Sequence, residues 1–300
     1  MTKAPTPAVA APDIQSIRAT LTARCAMPKD ALGVADSAGV TERDLSVPMR
    51  DGSHIRARVY SPEAADAGGR KESERLLVVM LHSGEYGCVV VSVKYRKAPE
   101  NPFPVPAASN ASSISANPSV GFVVGGTSAG GNMSAAIGLL ARDLLLSPPL
   151  TGNLLLIPLI TNFRAIPARF APLIASYEQN YDAPILGQET IGTSMENYKP
   201  NINSTLFNVL PAGADKEKNA FKGLPLTMFQ VCGLDPPRHE RLVYGQVLRE
   251  KAEVKTKRYV YPGVSHGFWG FLSDWDVSRK FVRDTVEGMG WLLGRCRSEG

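Results

Sequence analysis

The chain has 300 residues, of which 44% are hydrophobic and 20% are charged, and its formal net charge is +5 at pH 7. This composition is ordinary for a globular protein, and the length allows one large core or one core with a smaller cap. The mild charge comes from scattered lysines and arginines, which argues against a nucleic-acid partner, and no apolar run reaches the roughly 18 residues that span a bilayer.

The first predicted elements along the chain are a helix and a hairpin. Residues Ile14 to Met27 show helical spacing of apolar side chains, which predicts an amphipathic helix. Apolar residues then alternate with polar ones from 45 to 49 and again from 55 to 59, on either side of Asp51-Gly52. Alternation around an Asp-Gly turn is typical of paired antiparallel strands, so it predicts a β-hairpin.

Two buried strands follow, at Leu76 to His82 and at Cys88 to Tyr95, and only five residues separate them. Both segments are apolar enough to lie inside a parallel sheet. A parallel crossover needs about a dozen residues and usually contains a helix. The short spacing therefore predicts a hairpin or a distorted connection.

A strand, a sharp turn and a helix come next, and the turn carries Ser128. The strand is the apolar run from 121 to 125, and the helix runs to about Leu146 with an apolar stripe at Met133, Ile137, Leu140 and Leu144. A serine on such a turn occupies a strained backbone conformation that small neighbours permit. Here the small neighbours are Gly126 and Gly130. The pattern makes Ser128 a candidate nucleophile, although a flexible turn has the same composition.

The rest of the chain contains a further strand, an irregular interval and a final helix. The strand spans Leu154 to Ile160, and Pro158 weakens its end. From 161 to 222 aromatics, asparagines and prolines are scattered without a strand pattern. Four aromatic side chains there are candidates for an acyl or alcohol pocket, although packing is the simpler role for each: Tyr177, Tyr181, Tyr198 and Phe207. The last helix, from about 275 to 293, has a predicted inward stripe: Val277, Phe281, Val282, Val286 and Met289.

His266 is the candidate base among the four histidines of the chain. It lies in a glycine-bracketed loop directly after the strand-like run from 256 to 261, where a doubly wound sheet builds its site. His54 belongs to an early strand, His82 precedes Ser128, and His239 lies among charges at the start of a helix. A structural hydrogen bond in the loop is the alternative role for His266.

Asp235 is the candidate acid because it follows another buried strand, from 226 to 233. It lies between Ser128 and His266, in the order Ser, Asp, His that this architecture uses. Asp before Pro is also a favoured helix start, so an N-cap role is compatible with the catalytic one. Asp274 and Asp276 come after His266 and fit the order less well.

Four motifs together make the chain resemble the hormone-sensitive-lipase-like esterases of the α/β-hydrolase fold. The serine motif is Gly126-Thr127-Ser128-Ala129-Gly130-Gly131, the acid motif is Asp235-Pro236-Pro237-Arg238, and the base motif is His266-Gly267-Phe268. The fourth is the segment 91–100, which departs from the family at Lys94, where Asp is usual.

The resemblance implies an α/β class fold with a mostly parallel central sheet, flanking helices and a helical cap. It divides the chain into an N-terminal cap segment at 1–40, a first part of the hydrolase core at 41–160, a cap insertion at 161–222 and a second part of the core at 223–300. It also implies a serine carboxylic-ester hydrolase that takes short- to medium-chain acyl or acetyl esters and needs no metal or cofactor. By position, the family's oxyanion-binding amides are those of Ser83, Gly84 and Ala129.

The chain departs from this family around the oxyanion loop. It has His82-Ser83-Gly84-Glu85 where the family has H-G-G-G, and the carboxylate of Glu85 would oppose a developing anion. Relative to the family, a helix is missing between Glu85 and Tyr86, and a shorter loss follows Pro106. These departures leave a catalytically impaired isoform as an alternative to a simple esterase. The resemblance itself leaves two more: a non-catalytic small-molecule-binding relative, and a lactonase or deacetylase of a secondary metabolite.

The cysteines and the first residues indicate a cytoplasmic protein. Residues 1–13 lack the continuous apolar core of a signal peptide. The four cysteines form no close-spaced pair and are expected to be free thiols: Cys25, Cys88, Cys232 and Cys296. A small-molecule ester is the expected partner, with no membrane span, and the chain is compatible with a homodimer.

Overall fold

The computed structural model describes residues 40–48, 52–63, 75, 77–81, 89–94, 116–210 and 220–294. Their strands are β1 (Val40–Pro48), β2 (His54–Pro62), β3 (Leu77–Leu81), β4 (Val89–Lys94), β5 (Phe122–Thr127), β6 (Gly152–Leu156), β7 (Leu226–Cys232) and β8 (Thr256–Tyr261). Their α-helices are α1 (Ala129–Asp143), α2 (Ser176–Gln179), α3 (Gln188–Tyr198), α4 (Arg238–Lys251) and α5 (Asp276–Leu292).

The eight strands form one sheet in the order β1-β2-β4-β3-β5-β6-β7-β8. Both pairings of β2 are antiparallel, and the pairings from β4 to β8 are parallel. On β6, Leu155 packs in one cluster with residues of α1, whereas Leu154 packs in another with residues of α5. Because successive side chains on a strand point to opposite faces, these two helices cover opposite faces of the sheet. The predicted fold class is confirmed.

The predicted hairpin is present as β1 and β2. The two strands pair antiparallel with Leu45 opposite Ala57. On β2 the buried side chains alternate at Ile55, Ala57 and Val59, which places one face on the core and the other toward solvent.

β3 and β4 pair in parallel, so the hairpin alternative for this region is wrong. Leu77 lies opposite Val89, and seven residues (82–88) connect the strands. The return along a five-residue strand is roughly 13–16 Å, and seven residues can extend over roughly 25 Å. The connection is therefore long enough to span this return.

The predicted apolar stripe of α1 is wrong. Leu140 and Leu144 are 40% and 76% exposed, whereas Ala135 and Leu139 are buried. The helix lies so close to its neighbours that a Cβ on Gly131 would be 2.8 Å from Cβ of Pro158. Small residues therefore occupy most of the buried face, and Leu139 is the large apolar residue among them.

The predicted stripe of α5 is correct in part. Phe281 and Met289 are buried, but Val282 and Val286 are 53% and 45% exposed. Asp284 takes an inward position because the hydroxyl of Tyr261 donates to its carboxylate at 2.7 Å. A buried hydrogen bond thus replaces an apolar contact on this face.

Several predictions lie outside the described residues. They are the N-terminal helix, the loop with Ser83 and Gly84, the loss after Pro106, and Cys25, Cys88 and Cys296. Cys232 is buried and free, as predicted. None of the helices described by the structure has the length and apolarity to cross a bilayer.

Candidate active site

Ser128 occupies the turn between β5 and α1. Its backbone has φ 56° and ψ −117°, a combination that costs roughly 1–3 kcal/mol for a residue with a side chain. Backbone hydrogen bonds hold it there, since its amide donates to Leu156 at 2.9 Å and its carbonyl accepts from Asn132 at 3.0 Å and from Leu159 at 3.3 Å. The strained turn expected from the motif is therefore present.

Gly126 is required by the close approach of this turn to the helix that follows it. A Cβ on Gly126 would lie 2.3 Å from the carbonyl oxygen of Gly130, which is far inside van der Waals contact. The backbone of α1 thus starts directly beneath Ser128. Its free N-terminal amides and the positive end of its dipole lie beside the Ser128 hydroxyl.

His266 lies in the loop between β8 and α5. Gly267 follows it with φ 66°, a left-handed conformation that favours glycine. Phe268 is 2% exposed and packs against Tyr261 and Phe281. The loop therefore has a rigid hydrophobic anchor two residues after the imidazole.

Asp235 follows β7, and its loop is joined to the His266 loop. The amide of Leu234 donates to the carbonyl of Val264 at 2.9 Å. The N-cap of α4 is Pro237, and the Asp235 side chain bonds His266 and Arg241. The N-cap role that the sequence allowed for Asp235 is therefore not observed.

The three side chains form a continuous line of hydrogen bonds. Nε2 of His266 lies 2.9 Å from Oγ of Ser128, and Nδ1 of His266 lies 2.6 Å from Oδ2 of Asp235. Because an ionised carboxylate only accepts hydrogen bonds, Nδ1 carries the proton and donates to Asp235. Nε2 of the neutral ring is then unprotonated and accepts from the Ser128 hydroxyl.

Asp235 is ionised although it is fully buried. Burial pushes its pKa upward, but the Arg241 guanidinium and then the His266 imidazole outweigh burial and leave the pKa below its ordinary value. Nη1 of Arg241 donates to Oδ2 of Asp235 at 2.6 Å, and both side chains are 0% exposed. The charge on the acid is therefore balanced inside the protein.

Of the three candidate oxyanion-binding residues, Ala129 is described by the structure. It is the first residue of α1, so its amide is among those that no carbonyl within the helix can accept. It directly follows Ser128 and is exposed. Ser83 and Gly84 lie outside the described residues.

The loop that carries Asp235 is also bonded to Ser176 and Asn180, which lie in the interval predicted to form a cap. The Ser176 hydroxyl donates to the Pro236 carbonyl at 2.6 Å and accepts from the His239 amide at 2.9 Å. The Asn180 side chain donates to the Asp235 carbonyl at 3.2 Å. These contacts hold the backbone of Asp235 and bring the His239 amide into the same hydrogen-bond network.

Glu240 is buried in the first turn of α4 and bonds two segments that are distant in the chain. Its Oε1 accepts from the Ile160 amide at 2.6 Å, and its Oε2 accepts from the Tyr177 hydroxyl at 2.8 Å. Burial outweighs these bonds and the attraction of Arg241, and it raises the pKa of Glu240 to about 7. Tyr177 thus has a packing role, with its ring 5.6 Å from that of Phe163.

Glu240→Gln is expected to reduce the pH dependence of stability. Folding raises the pKa of Glu240 from its ordinary 4.5 to about 7, so between these values the native state binds more protons than the unfolded state. The free energy of unfolding therefore falls as pH rises through this window. The loss of unfolding free energy caused by ionising buried Glu240 is absent below pH 4.5 and reaches about 3 kcal/mol above about pH 7.

Urea unfolding at about pH 5 and about pH 8 measures this effect. The stability of E240Q relative to the wild type should increase with pH. Glu250→Gln, at an exposed site on the same helix, controls for the loss of one negative charge. A relative stability of E240Q that stays constant between the two pH values would contradict the prediction.

The remaining predicted pocket aromatics have different surroundings. A cavity of about 310 Å³ lies between Leu234 and residues 178–184, and Tyr181 is among its lining residues. Phe207 is 2% exposed and lies 5.8 Å from the ring of Tyr198. Within the part of the chain that the structure describes, no group of three or more His, Cys, Asp or Glu side chains has the arrangement of a metal site.

Sequence reasoning missed Glu240 and Arg241, because a charged run at the start of a helix is usually solvated. One signal was available: Arg241 lies on the same helical face as Tyr244 and Leu248, both of which are buried. Asp235, the acidic partner of Arg241, is only six residues away, but the Pro158 carbonyl bonded by Arg241 and the Ile160 and Tyr177 partners of Glu240 are distant in the chain, and no local pattern indicates them.

Comparison with known proteins places these features among hydrolases. A family model described as alpha/beta hydrolase fold matches residues 72–270. An AB hydrolase superfamily protein of Schizosaccharomyces pombe is 33% identical over 299 residues, which cover 89% of this chain and 84% of that protein. Versiconal hemiacetal acetate esterase of Dothistroma septosporum is 33% identical over 223 residues, which cover 70% of this chain and 65% of that protein.

The crystal structure of vibralactone cyclase is similar over most of its length. The TM-score is 0.81 at 28% sequence identity, and the match covers 97% of this chain and 92% of that one. The alignment with the Schizosaccharomyces pombe protein has 299 positions but uses only 89% of the 300 residues of this chain. The other positions are therefore gaps, where that protein has residues and this chain has none. Such gaps agree with the prediction that this chain lacks segments present in the family.

Proposed function

Because the chain belongs to the α/β-hydrolase family, in its hormone-sensitive-lipase-like group of carboxylesterase-type enzymes, we propose that it is a serine carboxylic-ester hydrolase. Its substrates would be short- to medium-chain acyl or acetyl esters, and its reaction would pass through an acyl-enzyme. The observation that carries this proposal is the hydrogen-bonded line from Ser128 through His266 to Asp235.

Acylation follows from the proton positions in that line. Ser128 Oγ attacks the ester carbonyl carbon while Nε2 of His266 takes the hydroxyl proton. Asp235 accepts from Nδ1 throughout, so it holds the ring in place and stabilises the imidazolium. The tetrahedral intermediate collapses when the C–O bond to the alcohol breaks and His266 returns its proton to the leaving oxygen.

The negative charge of the tetrahedral intermediate requires donors beside Ser128. The Ala129 amide is one, and the resemblance to the family assigns the amides of Ser83 and Gly84 as the others. For deacylation, His266 takes a proton from water, the resulting hydroxide attacks the acyl carbonyl, and Ser128 leaves with the proton that His266 returns. Every step uses side chains and amides of the chain, so the reaction calls for no metal or cofactor.

The non-catalytic alternative predicts a site without a catalytic base. A non-catalytic binding relative does not need a base hydrogen-bonded to a strained serine, and His266 occupies that position here.

A preference for acetyl esters is supported by the 33% identity with an acetate esterase, so acetyl substrates are included among those proposed. A homodimer and a cytoplasmic location remain predictions from the sequence.

The experiment that tests the proposal is hydrolysis of p-nitrophenyl acetate, butyrate and octanoate by the whole chain. We expect saturable turnover that is fastest for the two shorter esters. A fluorophosphonate should add covalently to the peptide that contains Ser128, detected by mass spectrometry. A folded protein with neither turnover nor labelling would contradict the proposal and favour the impaired or non-catalytic alternatives.

A further inference from the structure

We propose that Arg241 is a positioning residue for the triad: it fixes the Asp235 carboxylate and offsets part of its charge, so that His266 acts as a base at a lower pH than beside an unpaired carboxylate. This inference rests on the proposed function, since it concerns how the same site works. Arg241 lies on α4 and belongs to none of the four sequence motifs.

The first supporting observation is that Arg241 joins two loops of the site. Its Nη1 donates to Oδ2 of Asp235 at 2.6 Å, and its Nε donates to the carbonyl of Pro158 at 2.6 Å. Pro158 precedes Leu159, whose amide donates to the carbonyl of Ser128. One guanidinium therefore ties the acid loop to the segment that supports the nucleophile.

The second observation is that Arg241 and His266 share one oxygen of the acid. Both donate to Oδ2 at 2.6 Å, whereas Oδ1 of Asp235 has no hydrogen-bond partner among the described residues. The negative charge on Oδ2 of Asp235 therefore interacts with the Arg241 guanidinium and with the His266 imidazole at the same time. In a low-dielectric interior this reduces the attraction between Asp235 and the imidazolium.

No other described cation contacts the acid, and the remaining groups that face it are neutral or turned away. Cys232 on β7 is neutral because burial raises the pKa of its thiol to about 12. Tyr177 on α2 is neutral because burial raises its pKa well above the ordinary value. Glu240 on α4 directs its carboxylate to Ile160 and Tyr177, and the charge that attracts it is that of Arg241 rather than that of the acid.

The sign of the expected effect follows from this arrangement. Without the positive charge of Arg241, the imidazolium of His266 forms more readily, so His266 loses its proton at higher pH. Asp235 also becomes harder to ionise, which moves the onset of activity in the same direction. Both effects shift the acidic limb of kcat/KM upward, by roughly one to two pH units.

The test compares pH profiles of kcat/KM for p-nitrophenyl butyrate in the wild type, Arg241→Gln and Arg241→Lys. R241Q retains hydrogen-bond donors without the charge and should show the upward shift. R241K retains the charge and should keep the midpoint of the acidic limb of kcat/KM close to that of the wild type. Its kcat should be lower, because an ammonium group cannot place donors as Nε and Nη1 of Arg241 do toward Pro158 and Asp235. Arg249→Gln, at an exposed site on the same helix, is the matched control and should leave the profile unchanged.

Two further readouts keep the inference separate from the proposed function. The C–H signals of the His266 ring, identified by their loss in His266→Gln, report its titration by NMR even if the wild type hydrolyses no ester. The R241Q shift should also persist at about 0.5 M salt, because a buried charge is screened far less than surface charges. If R241Q loses stability or kcat while its midpoint stays at the wild-type value, Arg241 has a purely structural role and the inference is wrong.

Discussion

Ser128→Ala is expected to lower kcat for p-nitrophenyl butyrate by at least about 10⁴-fold. The reason is chemical, since no other hydroxyl is hydrogen-bonded to Nε2 of His266 among the described residues. Binding of the ester should change little, because the hydroxyl is small and the proposed oxyanion donors are backbone amides. The loss should therefore be in kcat, with KM within a few-fold of the wild type.

The same variant should keep its stability. Ser128 is held at φ 56° by the backbone on both sides, and alanine meets the same constraint, so the unfolding free energy should stay within about 0.5 kcal/mol. Ser134→Ala is the matched control: Ser134 lies on α1, and its hydroxyl donates to the Gly130 carbonyl within the helix at 2.8 Å. If S128A and S134A retain equal turnover, hydrolysis by the chain does not depend on Ser128.

The positions of the three candidate catalytic residues could be predicted because each comes at the carboxyl end of a parallel strand. Ser128 follows β5, Asp235 follows β7 and His266 follows β8. Parallel neighbours bring these ends to one edge of the sheet, so strand patterns and motif order were enough. Arg241 and Glu240 could not be placed in the same way, because their burial depends on loops that are distant in sequence.

The strands were predicted better than the faces of the helices. Alternating or continuous apolar runs located β2 and β7 within a few residues, since strand patterns report burial directly. On α1 the close approach of the helix at Gly131 gave the buried face to small residues, and on α5 Asp284 found a partner in Tyr261. Side-chain size and polarity alone do not reveal such contacts.

Asp235→Asn is expected to have a double effect, on rate and on stability. An asparagine does not hold a proton on Nδ1 of His266, so the ring can turn its N–H toward Ser128 and lose its function as base, which lowers kcat by about 10⁴-fold. The substitution also leaves the Arg241 guanidinium without a counter-ion at a site where both side chains are 0% exposed. Removing one partner of a buried pair costs about 3 kcal/mol.

The double variant D235N/R241M separates the two effects. Methionine has no charge and a similar volume, so it removes the unpaired cation, and the unfolding free energy should return to within about 1 kcal/mol of the wild type. The activity should stay at the level of D235N, because His266 still lacks its acceptor. Urea unfolding and p-nitrophenyl butyrate hydrolysis measure the two quantities on the same samples. Recovery of both would show that Asp235 acts only through folding, and recovery of neither would show that the cost of D235N does not come from the Arg241 charge.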